Sequence, residues 1–182
     1  MTAGVYMAEV FRCFTAMLLL VAAVGKLRTM AEFRQNLTES FGVGARAARV
    51  LAPAVAAGEL LLAVAIAAGD AASPGIGYAA MAAALAMFAV FTALVARKYV
   101  QEGIVRCSCF GEAGRSVSPF DLLRNVLVMA CIAFYLVSAG AAPDLGAEAW
   151  FLAAGLAAFL TVLAVEFHEI AMLLAHAREG LA

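Results

Sequence analysis

Two cysteines separated by a single serine, Cys107-Ser108-Cys109, followed by Phe110-Gly111, stand in a short polar stretch of a chain that is otherwise mostly hydrocarbon. A chain this apolar needs no paired thiols to fold, so the pair suggests thiol–disulfide exchange. A disulfide at that spacing closes a small, strained ring, and strain makes the bond easier to reduce. Such a bond suits exchange with a partner better than permanent bracing. Arg106, directly adjacent, favours the thiolate, which is the attacking species. Metal ligation is the main competing chemistry, although structural zinc usually takes four Cys or His ligands at wider spacing. The loop holds no histidine; His168 and His176 belong to the C-terminal tail, which could fold back to the same face. Two ordinary loop cysteines are the third reading, since free cysteine is common in apolar proteins. Exchange without a metal is the reading adopted.

The elements that must position the pair are legible from composition. Of 182 residues, 66% are hydrophobic and 14% charged, with a mean hydropathy of +0.98. A soluble domain carries about a quarter charged residues and about half apolar. Five apolar runs, 5–24, 51–68, 77–96, 119–139 and 150–165, approach the roughly 20 residues a helix needs to cross a bilayer. The expected fold is all-α: a polytopic membrane bundle of about five helices forming one domain over 1–182. No Lys or Arg cluster precedes the first run, and Glu9 and Arg12 lie inside it. It therefore reads as a retained span rather than a cleaved leader. Small residues in every span allow close helix approach in lipid. The formal net charge of −1 gives no reason to expect a nucleic-acid partner; the expected surroundings are lipid.

Charge separates the two poles of this bundle. Lys26, Arg28, Arg34, Arg46 and Arg49 fall in the first connection. Arg97, Lys98, Arg106 and Arg115 fall in the third, and Arg178 in the tail. The second connection offers Asp70, and the fourth Asp144 and Glu148. The positive-inside rule makes the rich pole cytoplasmic and the N-terminus external. The expected location is the bacterial cytoplasmic (inner) membrane, with multiple passes.

The cysteine loop leads into the fourth span with a readable start: Ser118 as N-cap, Pro119 first, Asp121 third, as in a capping box. Gly103, Gly111 and Gly114 support irregular backbone before it. Arg124 and Asn125 follow one turn in, at a depth of about 8 Å, and Glu59 in the second span at about 12 Å. An unpaired charge in hydrocarbon is costly, so Glu59 and Arg124 are candidates for an ion pair. That pair serves either as a lock between helices or in proton transfer or cofactor binding. Lys26 reads as snorkelling to the interface. Phe33, Leu37 and Phe41, spaced by four, suit a short surface helix roofing this pole or a plain linker. Cys13 and Cys131 share a depth of about 10 Å from the opposite face. They read either as small hydrophobes or as a second redox pair.

The block Cys107-Ser108-Cys109-Phe110-Gly111, then Ser118 and Arg124-Asn125, resembles the MauE family of methylamine utilisation proteins. Gly25-Lys26-Leu27, and Pro53 upstream of Glu59, look like the related DoxX-type membrane proteins. The resemblance covers most of the chain and is most specific from the cysteine loop into the fourth span. It implies an accessory role in processing, exporting or maturing the small (β) subunit of methylamine dehydrogenase. That periplasmic subunit is rich in disulfides and carries a tryptophan-derived quinone. A thioredoxin-like protein, MauD, is the implied partner. On this reading Cys107 and Cys109 form the exchangeable pair, with Arg106 biasing the thiolate. Glu59, Arg124 and Asn125 shape a polar pocket beneath the loop, open to a quinone headgroup or a partner segment.

Two alternatives stand beside it: a non-catalytic membrane chaperone or export component, and a DoxX-like quinone-linked oxidoreductase of thiols or small sulfur compounds. Sidedness also stays open. Disulfide formation in a periplasmic client suggests external cysteines, whereas the charge count places them inside. Either the orientation is inverted, or reducing equivalents cross the membrane, which would give Cys13 and Cys131 a purpose.

Overall fold

The computed structural model describes residues 3–72, 75–103, 117–138, 147–167 and 169–170. Within them lie six helices: α1 (Ala3–Arg28), α2 (Met30–Glu39), α3 (Ala45–Ala72), α4 (Ile76–Glu102), α5 (Pro119–Ser138) and α6 (Ala147–Val165). All but α2 are long and apolar enough to cross a membrane. The expected all-α bundle of five spans is what the structure shows.

The helices begin and end where local chemistry dictates. Thr29 closes α1, its N–H and hydroxyl both donating to the Gly25 carbonyl at 3.1 and 3.0 Å. Its own carbonyl accepts from Phe33 N–H at 3.0 Å, so α2 starts after a single-residue bend. Gly103 ends α4 at φ +71°, where a Cβ would be strained, and donates to the Tyr99 carbonyl at 2.9 Å. At Ser118 the reciprocal bond of a capping box is present. The Asp121 carboxylate accepts from Ser118 N–H at 2.9 Å and from its hydroxyl at 3.0 Å.

α1 is the hub. It packs against α3, α5 and α6, while α4 bridges α3 and α5. α1, α3, α4 and α5 therefore form a four-membered ring in which α3 and α5 lie diagonally. Leu18, Leu19, Ile66, Met81, Val128 and Ile132 fill the shared core. Outward residues such as Leu61, Val90, Val137 and Phe159 are apolar and exposed, as a lipid-facing surface requires. α6 leans on α1 through Ala153, Ala157, Thr161 and Ala164, all buried, small side chains that permit close approach.

Two helices overrun the spans read from hydropathy by six residues at one end. α3 begins at Ala45 rather than 51, and α4 runs to Glu102 rather than 96. Both extensions carry basic residues (Arg46 and Arg49; Arg97 and Lys98), which lower hydropathy without opposing helix.

Candidate functional site

The polar residues of the basic pole converge on the axis of the ring. Lys26 Nζ donates to both Glu59 oxygens, at 2.7 and 2.9 Å, and both side chains are nearly sequestered. The ammonium also lies 5.7 Å from the centroid of the Phe33 ring, a cation–π contact supplied by α2. Phe33 and Asn36 are the buried residues of α2, so this short helix does roof the pole. Phe41 continues the cover, packing with Val95, Val117 and Tyr99 over the ends of α4 and α5.

Two expectations need correction here. Lys26 does not snorkel outward: it is 3% exposed and turned into the bundle. Glu59 pairs with Lys26 rather than with Arg124. The reason is geometric. α3 and α5 are diagonal, whereas α1 flanks α3 directly. The earlier start of α3 also matters, because Glu59 then lies about 21 Å along it. For Lys26, near the end of α1, to reach that level, the first turns of α3 must rise past α1. There they pack against α2.

Arg124 and Asn125, adjacent in sequence, point to different sides of α5. Arg124 Nη1 lies 3.7 Å from Asp121 Oδ1, and Nη2 donates to Asn125 Oδ1 at 3.4 Å. Asn125 lines a cavity of about 60 Å³ at the ring's axis, together with Lys26, Glu59, Phe88 and Phe91. This space accommodates a few waters. Glu59 and Asn125 thus line one cavity. Lys26 completes it, and Arg124 supports Asn125 from behind. Among these, Lys26 as the partner of Glu59 and the contact of its ammonium with the Phe33 ring were not foreseen. The one available signal was that Lys26 is the first basic residue after an apolar span.

Cys107, Cys109 and Arg106 lie outside the described residues, as do His168 and His176. Their loop joins α4 to α5, between Gly103 and Val117. Cys13 and Cys131 are free thiols, partly buried against the main core. Cys13 borders a groove between α1, α3 and α6, and Cys131 a second groove between α1, α5 and α6. On the opposite half of α1, Arg12 Nε donates to Glu9 Oε2 at 2.9 Å, and Nη1 to the Ile66 carbonyl at 3.2 Å.

Five apolar spans around a buried polar axis define a polytopic membrane protein. The chain belongs to the MauE family: the model of methylamine utilisation protein MauE matches residues 4–138. Membership points to a role in methylamine utilisation. The match runs through α1 to α5, includes the cysteine loop and ends with the last residue of α5. No curated protein and no solved structure matches the chain.

Proposed function

We propose that the protein is a membrane accessory factor for the methylamine dehydrogenase small (β) subunit. It acts in that subunit's processing, transport or maturation through disulfide exchange. The observation carrying this reading is the family match, whose 4–138 span includes both Cys107-Ser108-Cys109 and the polar axis of Lys26, Glu59 and Asn125. Cys107 and Cys109 are the exchanging pair, and Arg106 favours the attacking thiolate. Where the loop faces the client directly, a client thiolate attacks one sulfur of the Cys107–Cys109 bond and the other sulfur leaves as thiolate. The client's second thiolate then displaces the pair. The client loses two electrons, the pair gains them, and thioredoxin-like MauD is the exchange partner that resets it. Residues 1–182 work as one membrane domain in the bacterial cytoplasmic membrane.

The polar axis keeps the helices beneath the loop in register. Its cavity of about 60 Å³ is far below the roughly 300 Å³ at which small-molecule sites begin. It therefore serves as a lock and water site rather than as a quinone pocket.

Trapping tests the reading. Single Cys107→Ser and Cys109→Ser variants should accumulate mixed disulfides with the small subunit or MauD, visible as reductant-sensitive bands. Both variants should lose maturation of the subunit. Full maturation in the double variant would remove the redox role and leave a non-catalytic escort.

A further inference from the structure

Arg46 and Arg49 stand three residues apart in the first turns of α3, and both are exposed. Neither side chain has a hydrogen-bond or ion-pair partner among the described residues. Their surroundings disfavour two cations. Side chains at that spacing are neighbours on a helix, so the two guanidinium groups repel each other. Arg46 also lies in the first turn, at the positive end of the helix dipole, and α3 has no acidic residue there to offset it. An anion held between the two would relieve both penalties.

Level and neighbours decide which anion. Gly69 closes the apolar span of α3, where it meets Gly77 at the start of α4. Arg49 lies 20 residues before Gly69, a rise of about 30 Å. That matches the thickness of the hydrocarbon core, so Arg49 stands where lipid phosphates begin, and Arg46 one turn further out. Below them the same helix face continues, at helical spacing, through Pro53, Leu60 and Val64. Leu60 and Val64 are apolar and 36 and 57% exposed. Leu60 is about 16 Å below Arg49, the depth of one leaflet. A soluble anion would use the two charges and leave this apolar face unmatched. A phospholipid uses both.

We propose that Arg46 and Arg49 bind the headgroup phosphate of an anionic phospholipid, of the phosphatidylglycerol type, with its chains along Leu60 and Val64. A zwitterionic lipid is disfavoured, because its ammonium would meet the same two guanidinium groups. Basic clusters at the cytoplasmic ends of spans recognise anionic lipid heads in this way. Arg97 supplies the contrast. It is exposed and likewise without a partner among the described residues. Yet it lies toward the C-terminal end of α4, where the dipole does not oppose a cation. Ala93, Leu94, Val100 and Gln101 occupy the positions three and four residues away, so no second cation shares its face. The inference concerns lipid binding and does not depend on the maturation reading.

Native mass spectrometry of the full-length protein tests it, with equal amounts of phosphatidylglycerol and phosphatidylcholine of identical chains added to the detergent. Phosphatidylglycerol adducts should predominate. Arg46→Gln/Arg49→Gln should reduce them by about tenfold or more, as loss of two cations at a membrane surface implies. Arg34→Gln/Arg97→Gln removes the same charge from α2 and α4 and should leave them within about twofold. Phosphatidylglycerol should also raise the melting temperature of the unsubstituted protein and not that of Arg46→Gln/Arg49→Gln, with helical circular dichroism confirming that both are folded. Excess inorganic phosphate should not displace the lipid. Equal losses in the two double variants would reduce the effect to diffuse charge attraction. That result, an absence of preference over phosphatidylcholine, or displacement by inorganic phosphate would each overturn the proposal. Lipid binding should persist in the Cys107→Ser/Cys109→Ser protein, so failure of the exchange reading is scored separately.

Discussion

At the scale of single residues, the Lys26–Glu59 pair governs the basic half of the bundle. Two opposite charges at 2.7 Å, shielded by Phe33 and the ring of helices, are tolerable in hydrocarbon only while both are present. Removing one partner strands the other, at a cost of about 3–5 kcal/mol. Lys26→Met alone should therefore lower the unfolding free energy by about that amount, read from denaturant melts in detergent. The Lys26→Met/Glu59→Leu double variant should recover most of it, because an apolar pair of similar volume leaves no orphaned charge. A double variant as unstable as the single would show that packing, and not charge, is the sensitive element. The need for a partner at Glu59 was readable from one acid in an apolar run. The partner's identity was not, because sequence gives depth along each helix but not which helices are diagonal. Asp121 offers a milder case: it accepts two hydrogen bonds from Ser118 and faces Arg124. Ser118→Ala removes the hydroxyl's contacts and should cost about 0.5–2 kcal/mol by the same melts, the range of cap substitutions.

At the scale of elements, the turn between α3 and α4 depends on two glycines. A Cβ on Gly69 would stand 2.7 Å from Gly77 Cα, backbone against backbone, where no side chain can move aside. Gly69→Ala should thus push the two helices apart and cost about 1–3 kcal/mol, as overpacking does. Gly58→Ala, on the same helix but facing open space, should be neutral or slightly stabilising, since alanine favours helix. Thermal melts of the two variants side by side separate close contact from propensity, and an equal loss in both would refute the contact. All five spans were legible from hydropathy because the bilayer demands continuous apolar length. Their overruns were not, since basic residues end a hydropathy signal about two turns before they end a helix. The four-residue spacing of Phe33, Leu37 and Phe41 did announce α2. It could not announce that Phe33 would meet an ammonium, because that contact requires α1 to deliver Lys26 beneath it.

At the scale of the whole molecule, the helix order fixes which residues share a pole, and the charges then predict sidedness. The end of α1, all of α2, the start of α3, the end of α4 and the start of α5 meet at one pole. They bring Lys26, Arg28, Arg34, Arg46, Arg49, Arg97, Lys98 and Arg124 there. Among the described residues the opposite half holds Arg12, which Glu9 balances. Lys and Arg within about 15–20 residues of a span resist translocation, so the pole that also carries the cysteine loop should face the cytoplasm. Glu32 on α2 and Glu148 on α6 are both exposed and lie at opposite poles. In a chain whose four native cysteines are replaced, Glu148→Cys should react with a membrane-impermeant maleimide in intact cells. Glu32→Cys should react after permeabilisation and not before. The reverse pattern would invert the molecule and place Cys107 and Cys109 directly before a periplasmic client. With the expected pattern, electrons exchanged at that pole must cross the bilayer to reach such a client. The test therefore decides whether the cysteine pair acts on its substrate directly or through a relay.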